Sequence, residues 1–162
     1  MAPKTVLITG CGPSNAGAAL ASEFRRRGHR VFATARDTAR IQTLCAADDI
    51  TALELDVTSP SSIEAAVATV RESVRGGGID ILVNNAAIFS QMPLADVQLQ
   101  DARRMFEANV WGPLALTQAF LPLLMGAHAA GPSRTGSEES SRGREGGLVV
   151  NVASISAFMC PP

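Results

Sequence analysis

Short apolar runs alternate with amphipathic segments along most of the chain. The apolar runs predict five strands: Val6–Ile8, Arg30–Thr34, Ile50–Leu55, Ile79–Val83 and Leu148–Val152. Helical spacing of apolar residues predicts four helices: Ala16–Arg27, Thr38–Ala46, Ser61–Arg75 and Leu99–Met125, the last interrupted near Trp111-Gly112-Pro113. Strands joined by helices favour a parallel sheet with right-handed crossovers and helices on both faces. The pattern therefore predicts an α/β fold with a doubly wound parallel sheet.

Two turns add local support to these elements. Ser59 followed by Pro60 is typical of an N-cap and the first residue of a helix. The first strand runs into a turn with Gly10, Gly12 and Gly17, where glycine lets backbone N–H groups and a helix N-terminus approach a pyrophosphate. The spacing only approximates G-x-G-x-x-G, because the middle position is Ser14 or Asn15; asparagine tolerates a positive φ there.

Composition and charge limit the classes of protein. The 162 residues are 46% hydrophobic and 18% charged, which is typical of one soluble domain spanning residues 1–162. A net charge of −1 gives no electrostatic footprint for nucleic acid. Three scattered cysteines lack metal-ligand spacing and an odd count argues against a disulfide framework, so we expect no metal and a reducing compartment.

Membrane and targeting signals are weak in the sequence. The most apolar stretch, Val110 to Met125, carries prolines and is shorter than a spanning helix of about 20 residues. It predicts a buried helix. The first strand begins within a few residues of Met1, which leaves no room for a signal peptide. We therefore expect a cytoplasmic protein without a transmembrane segment.

The segment from Gly126 to Gly147 is rich in Gly, Ser, Arg and Glu and low in large apolar residues. Such a composition cannot bury enough surface to order itself, so it predicts a flexible surface loop at 126–147. A partner-binding loop, an insertion without a role, and an error in the deduced reading frame all remain open.

Residues that follow the strands are the candidates for ligand contacts, because parallel sheets bind ligands beyond the carboxyl ends of their strands. Arg36 follows the second strand, where an arginine pairs with the 2′-phosphate of NADP; the alternative is an exposed arginine paired with Asp37. Asp56 and Val57 follow the third strand, where they could meet an adenine edge; the alternative is that Asp56 only caps the turn.

Five motifs in register carry a resemblance to a known family. They are TGCGPSNAG at Thr9–Gly17, LDVT at Leu55–Thr58, NNAA at Asn84–Ala87, EANVWG around Asn109, and VNVAS at Val150–Ser154. With them the chain resembles the classical short-chain dehydrogenase/reductases over nearly its whole length. The resemblance implies a Rossmann fold that is incomplete at the C-terminal side. The sequence departs from the family where Ala87 and Ser14 or Asn15 replace glycines.

The resemblance assigns roles to individual residues. It implies NADP as cofactor, with contacts from Thr9, Gly10, Gly12, Asn15, Gly17, Arg36, Asp56, Val57, Asn84 and Ala86. Asn109 matches the helix asparagine of the family's proton relay, and Ser154 matches the serine that hydrogen-bonds the substrate carbonyl. From residue type alone, Asn109 could instead mark a kink or bond to backbone, and Ser154 could cap a following helix.

The implied reaction is NADPH-dependent reduction of a ketone to an alcohol, with a tyrosine as proton donor and a lysine one helical turn later. The 162 residues contain no tyrosine, and Lys4 is the only lysine. We therefore expect a catalytically incomplete fragment whose Tyr-x-x-x-Lys would fall past Pro162. Open alternatives are a non-catalytic nucleotide-binding or interaction module and, less supported, another nucleotide-binding enzyme such as a methyltransferase.

The subgroup resemblance concerns substrate and location. Three short motifs, ITGC, VFATAR and LELDVT, are similar to those of the NADPH-dependent 1-acyldihydroxyacetone-phosphate reductases. Steroid and retinol dehydrogenases are the next most similar subgroups. This implies a lipid-like ketone as substrate and leaves open peripheral association with the endoplasmic reticulum or lipid droplets. It also implies that full-length relatives are homo-oligomers.

Overall fold

The computed structural model describes residues 2–75, 77–126 and 146–154 of the chain. Five parallel strands form one sheet in the order β3-β2-β1-β4-β5. They are β1 (Thr5–Ile8), β2 (Arg30–Ala35), β3 (Thr51–Glu54), β4 (Ile81–Asn84) and β5 (Leu148–Asn151). The chain moves outward from β1 to β3 and then returns to the other side of β1, so the strand order reverses between β1 and β4. Such a switch point opens a crevice at the carboxyl ends of the strands.

Helices cover both faces of the sheet. They are α1 (Ala16–Arg26), α2 (Gln42–Asp48), α3 (Pro60–Val74), α4 (Leu99–Phe106) and α5 (Gly112–Gly126). Residues of α1 and α2 pack with Val6 and Ile8 on one face, and residues of α3 and α5 pack with Leu7 on the other. The predicted α/β fold with a doubly wound parallel sheet is confirmed. Burial on both faces of β1, β2 and β4 explains why these central strands are apolar runs without polar alternation.

Two predicted helices differ from the observed ones. The segment predicted as Thr38–Ala46 begins with a 3₁₀ turn at Thr38–Ile41 before α2 starts. The segment predicted as Leu99–Met125 is divided into α4 and α5 by a π-helical turn at Glu107–Trp111. The predicted interruption exists, but it lies mostly before Gly112-Pro113. The capping prediction is confirmed, since Ser59 is the N-cap of α3 and Pro60 its first residue.

The predicted buried helix is α5, which places Leu116, Phe120, Leu123 and Leu124 in the core. Its Leu114, Leu121 and Met125 are exposed, so the prediction holds for one face of the helix. Within the described residues, no helix is both long and apolar enough to cross a membrane. The predicted surface loop at 126–147 lies, for residues 127–145, outside the part of the chain that the structure describes.

Candidate cofactor cleft

A cleft with a cavity volume of about 1110 Å³ opens at the carboxyl ends of the strands. One wall comes from the turn after β1 and from the ends of β2 and β3, with Gly10, Gly12, Asn15, Arg36, Asp56 and Val57 among its residues. Ala86 and Ala87 follow β4 at the back. One face of α4 and the π-turn forms the opposite wall, with Gln100, Arg103, Arg104, Glu107 and Ala108. Ligand clefts commonly have volumes of about 300–1,000 Å³, so this cleft is large enough for an extended ligand.

The glycine turn has the geometry of a phosphate-binding turn. Gly10 has φ +70°, and a Cβ there would lie 2.7 Å from the Cα of Ala86, so the position requires glycine. Ser14 also has a positive φ, of 56°, whereas Asn15 has φ −108°. The sequence left Ser14 and Asn15 open for the middle position of the turn, and Ser14 is the residue that takes the left-handed conformation.

Asn15 is instead the N-cap of α1. Its Oδ1 accepts a hydrogen bond from the backbone N–H of Ala18 at 3.0 Å, and its Nδ2 donates to the Gly10 carbonyl at 2.9 Å. The side chain thus bridges the two ends of the turn and directs the N-terminus of α1 into the cleft. A helix N-terminus carries partial positive charge, which favours an anion at this point.

Thr9 is 1% exposed and lies behind the cleft. Its hydroxyl accepts hydrogen bonds from the backbone N–H groups of Asn85 and Ala86, both at 2.9 Å, and is 3.4 Å from the Val83 carbonyl, to which it can donate. The Nδ2 of Asn85 returns to the carbonyl oxygens of Thr9 (2.8 Å) and Gly10 (3.1 Å). These bonds lock the segment after β1 to the segment after β4, which together form the floor of the cleft.

Gly17 and Asn84 are also buried supports. A Cβ on Gly17 would lie 2.6 Å from both the Gly10 carbonyl oxygen and Asn85 Nδ2. Asn84 is 5% exposed, and its Nδ2 donates to Asn151 Oδ1 at 2.8 Å and to Thr117 Oγ1 at 3.3 Å. Asn84 therefore joins β4 to β5 and α5. Thr9, Gly17 and Asn84 shape the cleft from behind, and they are not among the residues that line it.

Arg36 lies exposed at the end of β2 and lines the cleft. The neighbouring Asp37 uses its carboxylate as an N-cap, accepting from the Ala39 N–H at 2.9 Å. Among the described residues Arg36 forms no salt bridge, with Asp37 or with any other acid. The alternative of an Arg36–Asp37 pair is therefore not observed, and the guanidinium is available to a ligand.

Asp56 faces the cleft with one carboxylate oxygen engaged. Its Oδ1 accepts from the backbone N–H of Thr58 at 2.9 Å and from the Thr58 hydroxyl at 2.7 Å, whereas Oδ2 forms no hydrogen bond within the described part of the chain. Partial burial alone would raise the pKa of Asp56, but the bonds from Thr58 and the nearby Arg36 outweigh it and hold the pKa below its ordinary value. Asp56 does cap its turn, and it still offers one charged oxygen to the cleft.

Asn109 lies in the π-helical turn beside the cleft. Its Oδ1 accepts from the Ile88 N–H at 2.9 Å and its Nδ2 donates to the Ile88 carbonyl at 2.8 Å. The amide of Asn109 is therefore bonded to backbone, as one alternative predicts, although the residue is exposed; in place of the predicted kink the structure has a π-helical turn. The two hydrogen bonds to Ile88 hold the segment after β4 in place. π-Helical turns occur frequently at functional sites.

Ser154 is exposed and follows β5 on the same edge of the sheet. Two residues before it, the N–H of Val152 donates to the Asn84 carbonyl at 2.9 Å, which extends the pairing of β4 and β5 up to the cleft. The helix that Ser154 would cap would begin in residues 155–162, which lie outside the described part of the chain.

Sequence reasoning missed part of the cleft. Arg40, Gln100, Arg103 and Arg104 all line it and were not among the predicted site residues. Gln100, Arg103, Arg104 and Glu107 follow the i, i+3, i+4, i+7 spacing of one helix face, which was the available signal. No cluster of three or more potential metal ligands occurs in the ranges that the structure describes.

Cys11 provides a test of the turn in solution. The thiol is buried beneath the glycine turn, and burial raises its pKa to about 11. Since the thiolate is the reactive form, we expect Cys11 to resist alkylation by iodoacetamide at pH 7.5 in the folded chain and to react fully in urea. Peptide mass spectrometry with Cys45, which is only partly buried, as internal comparison checks this. Equal labelling of the two cysteines in the folded chain would contradict the buried turn.

Comparison with known proteins identifies the class to which this fold and cleft belong. The family model of short chain dehydrogenases matches residues 4–162. The short-chain dehydrogenase cctT of Talaromyces islandicus is 46% identical over 124 residues, 76% of this chain and 44% of that protein. The NADPH-dependent 1-acyldihydroxyacetone phosphate reductase of Schizosaccharomyces pombe is 35% identical over 158 residues, 98% of this chain and 47% of that protein.

Solved structures agree with this assignment. A short-chain dehydrogenase from Streptomyces avermitilis is 31% identical with a TM-score of 0.79, covering 99% of this chain and 52% of that one. The NADPH-bound carbonyl reductase from chicken fatty liver is 29% identical with a TM-score of 0.79, covering 96% of this chain and 61% of that one. The chain belongs to the short-chain dehydrogenase/reductase family of oxidoreductases, which bind nicotinamide cofactors. It spans about half the length of the curated relatives it matches.

Proposed function

We propose that the protein is an NADP-dependent oxidoreductase that reduces a ketone to an alcohol, and that this chain supplies its cofactor cleft. The observation that carries the proposal is Arg36, exposed in the cleft at the end of β2 without a salt bridge among the described residues. A guanidinium at this position suits the ribose 2′-phosphate that distinguishes NADP from NAD. Two of the relatives above are described as NADPH-dependent or NADPH-bound, which supports the same preference.

The remaining cleft residues fit the rest of such a cofactor. Gly10, Gly12 and the N-terminus of α1 behind Asn15 present backbone to a pyrophosphate, because no Cβ stands between them. The free Oδ2 of Asp56 can accept from the amino group of adenine, with Val57 beside the ring. Ala86 lies in the cleft where the nicotinamide half would run, and Thr9, Gly17 and Asn84 hold that floor from behind.

Two residues are proposed for the chemistry. The cofactor, when bound, supplies the hydride. Ser154, exposed at the carboxyl end of β5, would donate a hydrogen bond to the substrate carbonyl oxygen. Asn109 would hold a water of the proton relay through its backbone, since both ends of its side-chain amide are already bonded to Ile88.

The proposed substrate is a lipid-like ketone, such as 1-acyldihydroxyacetone phosphate, whose acyl chain is apolar. After β4 the chain presents Ile88, Phe89 and Met92 to solvent, with exposed fractions of 38%, 76% and 41%. Among the described residues these side chains are not packed in the core, so their apolar surface is available to a substrate. Phe158 and Met159, which could contribute to the same pocket, lie outside the described residues.

Arg36→Gln tests the cofactor proposal directly. Hydrogen bonds to charged groups contribute about 1.5–3 kcal/mol. Since each 1.4 kcal/mol is tenfold, we expect the dissociation constant for NADPH to rise about 10- to 100-fold. Affinity for NADH should be unchanged, because NADH lacks the 2′-phosphate. Titration followed by NADPH and NADH fluorescence measures both.

Arg71→Gln is the matched control for that experiment. Arg71 is exposed on α3 and lies outside the cleft, so its loss removes the same charge without touching the site. It should leave both affinities within about twofold of wild type, as surface substitutions do. Equal binding of NADPH and NADH by the wild-type chain would overturn the proposed NADP preference.

A further inference from the structure

Gly112 is the first residue of α5 and is buried against the turn that follows β3. Its φ of −57° and ψ of −56° are ordinary helical values, so the backbone conformation does not require glycine. A Cβ there would lie 3.0 Å from the Val57 carbonyl oxygen, 3.1 Å from Val57 Cγ2 and 3.1 Å from the Glu107 carbonyl oxygen. All three distances are shorter than ordinary van der Waals contacts. The glycine therefore permits a close approach of α5 to Val57.

The backbone groups that a Cβ at this position would meet are held from their other sides. The Glu107 carbonyl accepts from the N–H of Gly112, the bond that closes the π-helical turn. The turn that carries Val57 is tied to α3, because the N–H of Asp56 donates to the Ser62 hydroxyl at 2.9 Å. Neither group is the loose end of a side chain that could rotate out of the way.

Val57 is the neighbour with space on one side. It is only partly buried and it lines the cleft, whereas α5 is anchored in the core by Leu116 and Phe120, both 0% exposed. Gly112 is not among the residues that line the cleft, so it reaches the cleft only through Val57. Close-packed interiors transmit strain. A methyl group at position 112 would therefore push Val57 towards the cleft by a few tenths of an ångström.

We propose that Gly112 is a positioning residue for the cofactor, because it keeps Val57 out of the space that the adenine ring takes. This rests on the proposed function, in which Val57 lies beside the ring and Asp56 Oδ2 accepts from its amino group. A displaced Val57 weakens the binding of every adenine dinucleotide, NADPH and NADH alike. Gly112 differs in this respect from Arg36, whose loss affects NADPH alone.

Gly112→Ala tests this inference with three ligands: NADPH and NADH by fluorescence titration and 2′,5′-ADP by calorimetry. We expect all three dissociation constants to rise about tenfold, the loss that overpacking of a close contact produces. The melting temperature should stay within about 3 °C of wild type, because the higher helix propensity of alanine offsets part of the contact cost. Gly126→Ala is the matched control at the other end of α5, where a Cβ meets nothing within 4 Å. It should leave the three constants unchanged.

Val57→Ala separates positioning from a general weakening of the fold. The substitution removes Cγ2, one of the atoms that the new methyl group would meet, and leaves the carbonyl oxygen in place. Residues that act on each other give non-additive effects. The Gly112→Ala/Val57→Ala chain should therefore lose less affinity for 2′,5′-ADP than the product of the two separate losses.

The outcomes distinguish this inference from the function on which it rests. Unchanged dissociation constants in Gly112→Ala overturn it, and so does a double variant whose loss equals the product of the separate losses. If Gly112→Ala does not fold, the double variant replaces it, and binding as tight as that of Val57→Ala overturns the inference. Equal binding of NADPH and NADH by the wild-type chain overturns the NADP preference alone, because both carry adenine. A wild-type chain that binds neither dinucleotide overturns both proposals.

Discussion

Replacing Gly17 with alanine is expected to destabilise the fold and to abolish measurable binding of NADPH. The new Cβ would lie 2.6 Å from the carbonyl oxygen of Gly10 and 2.6 Å from Asn85 Nδ2, too close for either contact. The oxygen belongs to the backbone of the glycine turn, so relief requires α1 to shift away from β1. Overpacking of this kind costs about 1–3 kcal/mol. For a chain of this size we expect the melting temperature to fall by about 2–12 °C.

Gly12→Ala separates stability from binding in the same turn. A Cβ at Gly12 meets only the Nδ2 of Asn15, at 3.2 Å, which is the end of a side chain. We expect a melting temperature within about 2 °C of wild type, in line with the small effects of surface substitutions, together with weaker binding because the methyl group points into the phosphate region. Calorimetry and NADPH titration on both variants check this. A Gly17→Ala chain that melts like wild type would contradict the close packing of α1 against the turn.

The centre of the sheet could be predicted from the sequence because β1, β2 and β4 are buried on both faces. An apolar run such as Val6–Ile8 needs no knowledge of its neighbours to be recognised, and the helical segments between the runs imply parallel pairing. The predicted ends of the strands and helices were less accurate than their existence and type. Strand β4 begins at Ile81 and not at Ile79, since the N–H of Ile79 instead donates to the Leu123 carbonyl of α5. Tertiary contacts of this kind leave no local signal.

Part of the cleft could be predicted from the rule that parallel sheets bind ligands beyond the carboxyl ends of their strands. Arg36, Asp56 and Ala86 each follow a strand, and the carboxyl ends of parallel strands meet at one edge, so all three line the cleft. Arg40 was missed because it lies within the predicted helix Thr38–Ala46 and not at the end of a predicted strand. The observed 3₁₀ turn, started by the Asp37 cap, brings its side chain back to the cleft.

The interruption of the long helix illustrates a different limit. The sequence placed it at Trp111-Gly112-Pro113, where glycine and proline are poor helix formers. The observed π-turn covers Glu107–Trp111 and contains Asn109, whose amide is bonded at both ends to the backbone of Ile88. Ile88 is 21 residues away in the chain, so the partner that accompanies the irregularity could not be read from local sequence.

Thr9→Val is the second substitution for which we expect a large effect. Valine has nearly the shape of threonine but cannot accept the hydrogen bonds from the N–H groups of Asn85 and Ala86, both 2.9 Å from Thr9 Oγ1. Those two N–H groups would be left without an acceptor. They face Thr9, which is 1% exposed and lies behind the cleft. An unsatisfied buried donor costs about 1–3 kcal/mol, so two of them should lower the free energy of unfolding by about 2–6 kcal/mol.

Thr9→Ser distinguishes the hydroxyl from the methyl group at this position. Serine keeps the acceptor for Asn85 and Ala86 and removes one methyl, so we expect a loss of only about 1 kcal/mol. Urea denaturation of the two variants gives both free energies of unfolding. A Thr9→Val chain as stable as Thr9→Ser would mean that water reaches the two N–H groups. The segment after β4 would then depend on the bonds from Asn85 and Asn109, and the hydrogen bonds from this segment to Thr9 would contribute little to its stability.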